Sequence, residues 1–77
     1  MPTNITHPET ATASIHVNGE PLSISRPATV ASLIALRQPR PPFAVEVNKQ
    51  LVRRTAYDAT TLADGDTVEI VTLVGGG

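Results

Sequence analysis

"DGDTVEIVTLVGGG" (Asp64–Gly77) is the stretch that decides the fold. Asp64-Gly65-Asp66 is a strong turn signal, and the residues after it alternate as a strand does. Val68, Ile70, Thr72 and Val74 fall on one side of a strand running from Thr67 to Val74, and Thr67, Glu69, Val71 and Leu73 fall on the other. A strand that is apolar on both sides near its end suits the middle of a sheet. Two readings of Val71 and Leu73 follow: the protein itself covers them, or they form an exposed apolar patch that a partner reads. The strand then runs without a spacer into Gly75, Gly76 and Gly77. Lacking Cβ atoms, these form a thread thin enough for a narrow channel and able to take any φ. The competing reading is a frayed terminus or a cloning remnant, since glycine runs also make linkers.

Upstream, the same logic of period and punctuation gives the rest of the sheet. Residues 1–12, "MPTNITHPETAT", hold two prolines and four threonines and little to bury. They read as a flexible leader that cannot recover its ordering entropy. From Ser14 the period is two: Ile15 and Val17 share a face, Asn18-Gly19 follows, and Leu22 and Ile24 share a face again. Asn-Gly is the pair suited to a type I′ turn, so this is a hairpin, and Pro21 places its second strand at a sheet edge. Val30, Leu33, Ile34 and Arg37 then follow helical spacing, with Thr29 as N-cap and no Glu or Gln placed to complete a capping box. "QPRPP" (38–42) ends the helix; its prolines read as a stiff crossing connection rather than as a ligand for a polyproline-reading domain.

"FAVEVNKQLV" (43–52) returns to alternation. Phe43, Val45 and Val47 share a face, a turn falls near Asn48 and Lys49, and Leu51 and Val52 make a short strand. "RRTAYDATTL" (53–62) has no clear period. The predicted order is β-β-α-β-β-β, an α+β sheet with the helix packed on one face.

Length and composition set the limits on function. Seventy-seven residues allow one small domain with a modest core, and a deep substrate pocket is not expected. A net charge of −1 gives no electrostatic footprint for nucleic acid or an acidic membrane surface. No cysteine is present, which removes disulfides, thiolate metal sites and thiol nucleophiles together. The apolar runs fall far short of the roughly 20 residues that cross a bilayer, and the start lacks signal-peptide order. A soluble, cytoplasmic monomer is the expectation. His7 and His16 have no companion at metal-ligand spacing, so no metal is expected. Ser14, Ser23, Ser25 and Ser32 lack a His and Asp pairing, and Asp64 and Asp66 are better explained by turn formation than by acid-base work. Tyr57 and Phe43 are too few for base stacking and read as core or rim packing.

Taken in order, "HVNGEPL" (16–22), "TVASLIAL" (29–36), "VEVNKQLVRRTAY" (45–57), "GDTVEIV" (65–71) and "VGGG" (74–77) resemble the sulfur carrier proteins of thiamin biosynthesis, the ThiS group. The resemblance covers roughly residues 13–77. It implies the ubiquitin-like β-grasp fold, a mixed sheet with one helix packed on one face, over residues 13–74, with 75–77 as a flexible tail. It also implies a chemical cycle on the Gly77 carboxylate and a protein that is a co-substrate, not an enzyme. A ThiF-like adenylating enzyme would activate the carboxylate with ATP and Mg²⁺, and no cofactor would stay bound to the carrier. Sulfur derived from a cysteine desulfurase would then replace AMP and leave a thiocarboxylate, whose sulfur passes to a ThiG-like thiazole synthase. Gly75 and Gly76 would thread the active-site channels. Val71 and Leu73, with Arg53 and Arg54 as charged contacts, are the candidate partner surface; the plainer reading of the two arginines is a solvated pair.

Two further classes stay open on the sequence. A molybdopterin synthase small subunit or a ubiquitin-like modifier would carry the same tip to another acceptor, and a small interaction module would carry an inert tail.

Overall fold

The computed structural model describes residues 12–73. Strands β1 (Thr12–Val17) and β2 (Glu20–Ser25) form the first hairpin, paired antiparallel from Thr12↔Ser25 to Val17↔Glu20. Asn18 (φ 51°) and Gly19 (φ 84°) both take the positive φ that a type I′ turn demands. The two-residue strand β3 (Ala28–Thr29) leads into helix α1 (Val30–Arg37). Strands β4 (Phe43–Val47) and β5 (Gln50–Val52) form the second hairpin around Asn48 (φ 51°) and Lys49 (φ 70°). A short 3₁₀ turn (Arg54–Ala56), the two-residue strand β6 (Thr61–Leu62) and strand β7 (Thr67–Thr72) complete the fold.

The main sheet has the order β2-β1-β7-β4-β5, so the last strand is its centre, as the two-sided apolar pattern predicts. β7 runs parallel to β1 and antiparallel to β4, which makes the sheet mixed. Pro21 lies on β2, an edge strand, where its missing N–H is tolerated. The β-β-α-β-β-β order is correct for the main sheet but omits β3 and β6. They pair antiparallel with each other over Ala28↔Leu62 and Thr29↔Thr61, and two residues are too few to show a period.

The helix closes one face. Val30 and Leu33 are fully buried among Ile15, Val17, Val45 and Val68, with Ile34, Phe43 and Tyr57 packed at the margin. Phe43 and Tyr57 stack with ring centroids 6.4 Å apart, which is rim packing. The helix start is fully satisfied. Val30 N–H donates to the Thr60 carbonyl (2.9 Å), Ala31 N–H to the Tyr57 carbonyl (3.1 Å) and Ser32 N–H to Thr29 Oγ1 (3.1 Å). A capping box does form, against the sequence expectation: Ser32 Oγ accepts from Thr29 N–H at 2.9 Å, so a serine does the work usually assigned to Glu or Gln. Gln38, in the left-handed region (φ 50°), caps the other end by donating to the Ile34 carbonyl (2.7 Å).

Two readings need adjustment at the chain ends. Thr12, assigned to the leader, is the first residue of β1; residues 1–11 lie outside the described residues. The final strand ends at Thr72 rather than at Val74, which with Gly75–Gly77 also lies outside the described residues.

Candidate functional site

β7 carries the sequence toward the glycine run, and its neighbours hold it in place along its length. At its start, Asp66 takes the turn: its carboxylate accepts from Ala63 N–H (2.8 Å) and from Asn48 Nδ2 (3.0 Å). Asp64 ties the same turn to β1 by accepting from Ser14 N–H (2.7 Å), and its other oxygen pairs with Arg26 at 3.1 Å. Both aspartates therefore build the turn, as their spacing predicts.

The two hairpin turns then reach inward onto β7. Asn48 Oδ1 accepts from Thr67 N–H (3.0 Å) while Asn48 N–H donates to the Thr67 carbonyl (2.7 Å). On the other side, Asn18 Oδ1 accepts from Ile70 N–H (2.7 Å) and Asn18 Nδ2 donates to the Ile70 carbonyl (3.1 Å). β1 pairs with β7 only as far as Val17↔Val68, so the Asn18 side chain extends that parallel ladder by one more residue. On the β4 side the ladder continues to the end, where Leu73 N–H donates to the Pro42 carbonyl (2.8 Å). Sequence reasoning assigned Asn18 and Asn48 to turns alone. The repeated pattern Val-Asn-x-Glu/Gln at 17–20 and 47–50 was the signal available for their second role.

The sheet face away from the helix is open. Val71 and Leu73 are 47% and 50% exposed, which decides between the two readings in favour of a surface patch. Val71 is paired with Ala44, and Leu51, also exposed, is paired with Glu46 on the same face. Glu46 lies directly opposite Glu69, so two carboxylates sit beside the apolar residues.

The two arginines are divided. The antiparallel register of β4 and β5 brings Arg53 level with Ala44, two strand spacings or roughly 9–10 Å from Val71. Arg54 instead lines a groove with Ile34, Pro42, Phe43 and Tyr57. Both are exposed, and neither makes an ion pair among the described residues, where Arg26–Asp64 is the pair present. Among the described residues no group of three His, Asp or Glu side chains is placed to hold a metal. Among the described residues no helix is long and apolar enough to cross a membrane.

Comparison with known proteins gives this arrangement its context. A crystal structure of the thiamine biosynthesis protein ThiS from Geobacter metallireducens superposes with a TM-score of 0.68 at 35% identity, covering 83% of this chain and 99% of that one. The uncharacterized protein ycf40 of Pyropia yezoensis is 40% identical over 65 residues, 83% of this chain and 92% of the relative. A thiazole synthase of Magnetococcus marinus is 39% identical over 64 residues; the match takes in 82% of this chain but 20% of that protein. Residues 15–77 match the model of the ThiS family, and with the mixed sheet, the helix packed on one face and the central last strand now on the page, the chain belongs to the ThiS family and has its ubiquitin-like β-grasp fold.

Proposed function

We propose that this protein is a sulfur carrier of thiamin biosynthesis whose working group is the carboxylate of Gly77. A carboxylate is a poor electrophile until it holds a leaving group. Attack of the Gly77 carboxylate on the α-phosphate of ATP, in an adenylating enzyme that supplies Mg²⁺, releases pyrophosphate and leaves an acyl adenylate. The outer sulfur of a persulfide formed by a cysteine desulfurase attacks the acyl carbon and expels AMP, and a second thiol cleaves the resulting acyl disulfide, supplying the two electrons and leaving a disulfide beside the thiocarboxylate. The thiocarboxylate left behind is an ionised, polarisable nucleophile. A thiazole synthase consumes its sulfur and returns the carboxylate, so the protein is a co-substrate of two enzymes, working in the cytoplasm with ATP.

The observation that carries this reading is the placement of β7. The central strand of the sheet, clamped by Asn48 at Thr67 and by Asn18 at Ile70, leads directly to the glycine run. A rigid root limits the ordering cost of the tail to the last residues, on the order of 1–2 kcal/mol each, which docking of the body offsets. Val71 and Leu73 lie beside that root and supply apolar area for docking, with Arg53 at the same level of the sheet.

The test is the intact mass of the protein after incubation with the adenylating enzyme of its own organism, ATP and a sulfur source, followed by fragmentation of the tail. A gain equal to one oxygen replaced by one sulfur, located at Gly77, is the expected result. No gain, with an adenylating enzyme shown to be active on its own ATP-exchange assay, would overturn the reading.

A further inference from the structure

The hydrogen-bond phase of β7 leaves one place on the sheet open, and it lies at the root of the tail. In an antiparallel ladder, residues alternate between those whose N–H and C=O face the neighbour and those whose groups face away. Asn48 N–H to the Thr67 carbonyl and Leu73 N–H to the Pro42 carbonyl fix that phase. Thr67, Glu69, Val71 and Leu73 turn their main-chain groups toward β4; Val68, Ile70 and Thr72 turn theirs toward β1. The Val68 carbonyl accepts from Asn18 N–H (2.9 Å), and both groups of Ile70 are held by the Asn18 side chain. At Thr72 β1 has already ended, and neither its N–H nor its C=O has a partner among the described residues. A groove runs along this vacancy, floored by Ile70 and Thr72 and rimmed by Glu20 on the hairpin side and Arg37 and Pro39 at the helix exit.

We propose that the protein which takes up the tail adds an extended segment of its own main chain to β7 at Thr72; this rests on the carrier reading above. Strand addition suits the site because an open edge offers main-chain hydrogen bonds at no cost to the existing ladder. The rims carry opposite charges in Glu20 and Arg37, both exposed. The complementary segment therefore presents a basic side chain toward Glu20 and an acidic one toward Arg37. The other edges are less inviting, since β2 carries Pro21 and β5 is three residues long.

Amide hydrogen exchange on ¹⁵N-labelled protein, alone and bound to the adenylating enzyme of the same organism, tests this. Alone, the Thr72 amide should exchange much faster than those of Ile70 and Val71; in the complex it should slow by about tenfold or more, the worth of one main-chain hydrogen bond. Thr72→Pro removes the unpaired N–H and no ladder bond, so it should fold and weaken the complex by about tenfold relative to Thr72→Val, which keeps the main chain. A Thr72 amide that exchanges equally fast in the complex would overturn the proposal even if Thr72→Pro failed to fold. Protection that appears in the free protein as concentration rises would assign the edge to a second copy and overturn it as well. If no complex with the adenylating enzyme forms, the carrier reading fails first and this inference falls with it.

Discussion

The side-chain amide of Asn18 holds both main-chain polar groups of Ile70, accepting from its N–H at 2.7 Å and donating to its carbonyl at 3.1 Å. An asparagine in a left-handed turn position thereby does the work of one further residue of β1. The turn can close the hairpin after Val17 while β7 goes on without a neighbouring strand on that side. Asn48 does the matching work at Thr67 from the other hairpin, so the strand that leads to the glycines is fixed at two points by side chains 19 and 52 residues away in sequence.

Replacing Asn18 by glycine separates the clamp from the turn. Glycine adopts a φ of 51° without strain, so the turn survives and only the two bonds to Ile70 are lost. Urea denaturation should show a loss of about 1–3 kcal/mol, with Asn18→Ala losing more because alanine also resists the positive φ. A loss under a few tenths of a kcal/mol for Asn18→Gly would mean that water replaces the clamp freely.

Lys49 is the weak residue of the second turn. It sits at φ 70° with no glycine to absorb the left-handed conformation, next to Asn48 at φ 51°. Lys49→Gly should raise stability by about 0.5–1 kcal/mol, the relief of left-handed strain less the greater freedom of the unfolded chain. Thermal unfolding of the two proteins side by side measures the sign.

What the sequence made legible was what is local. Asn-Gly at 18–19, the Thr29 cap and the Asp64-Gly65-Asp66 turn each announce themselves within a few residues, and the period of the last strand placed it at the sheet centre. The β3–β6 ladder escaped because it joins Ala28–Thr29 to Thr61–Leu62, pairs too short to alternate and far apart in the chain. Ser32 escaped because capping-box patterns are written for longer side chains, although a serine hydroxyl reaches Thr29 N–H at 2.9 Å. For the candidate site, alternation put Val71 and Leu73 on one side of β7 but could not say what lies over them. The one helix among the described residues packs on the opposite face, and they stay exposed.

Glu46 and Glu69 face each other across β4 and β7 on the open side. Like charges directly opposite on a sheet are unfavourable, and Glu69→Gln should stabilise the protein by about 0.2–0.5 kcal/mol. The gain should shrink as salt is raised, because the repulsion it removes is screened. A gain that does not depend on salt would point to packing or hydrogen bonding as its source.

Deleting Gly77 separates chemistry from fold. A terminal glycine has no side chain to bury, so the melting temperature of the shortened protein should match that of the full chain. The new terminus at Gly76 would stand one residue, roughly 3.3–3.6 Å, short of the adenylating centre, and reactions of this kind tolerate little displacement. Activation, read as AMP joined to the tail by intact mass, should be lost. A shortened protein that is adenylated at the full rate would show that the enzyme reads the body and not the position of the tip.

Leu73→Asp tests whether the open face grips a partner. Leu73 is 50% exposed and its side chain is outside the core, so a charge there should change stability by no more than about 0.5 kcal/mol. In a docked complex the same carboxylate would be buried against apolar surface beside Val71, and affinity for the adenylating enzyme should fall by about tenfold or more. Leu36 is the control: it is 58% exposed but lies on the helix, on the other side of the molecule, and Leu36→Gln should leave binding unchanged. Equal losses in both variants would mean that exposed leucines contribute to association without regard to place. A loss confined to Leu73→Asp, with thermal stability retained, would establish the face beside the tail root as the docking surface.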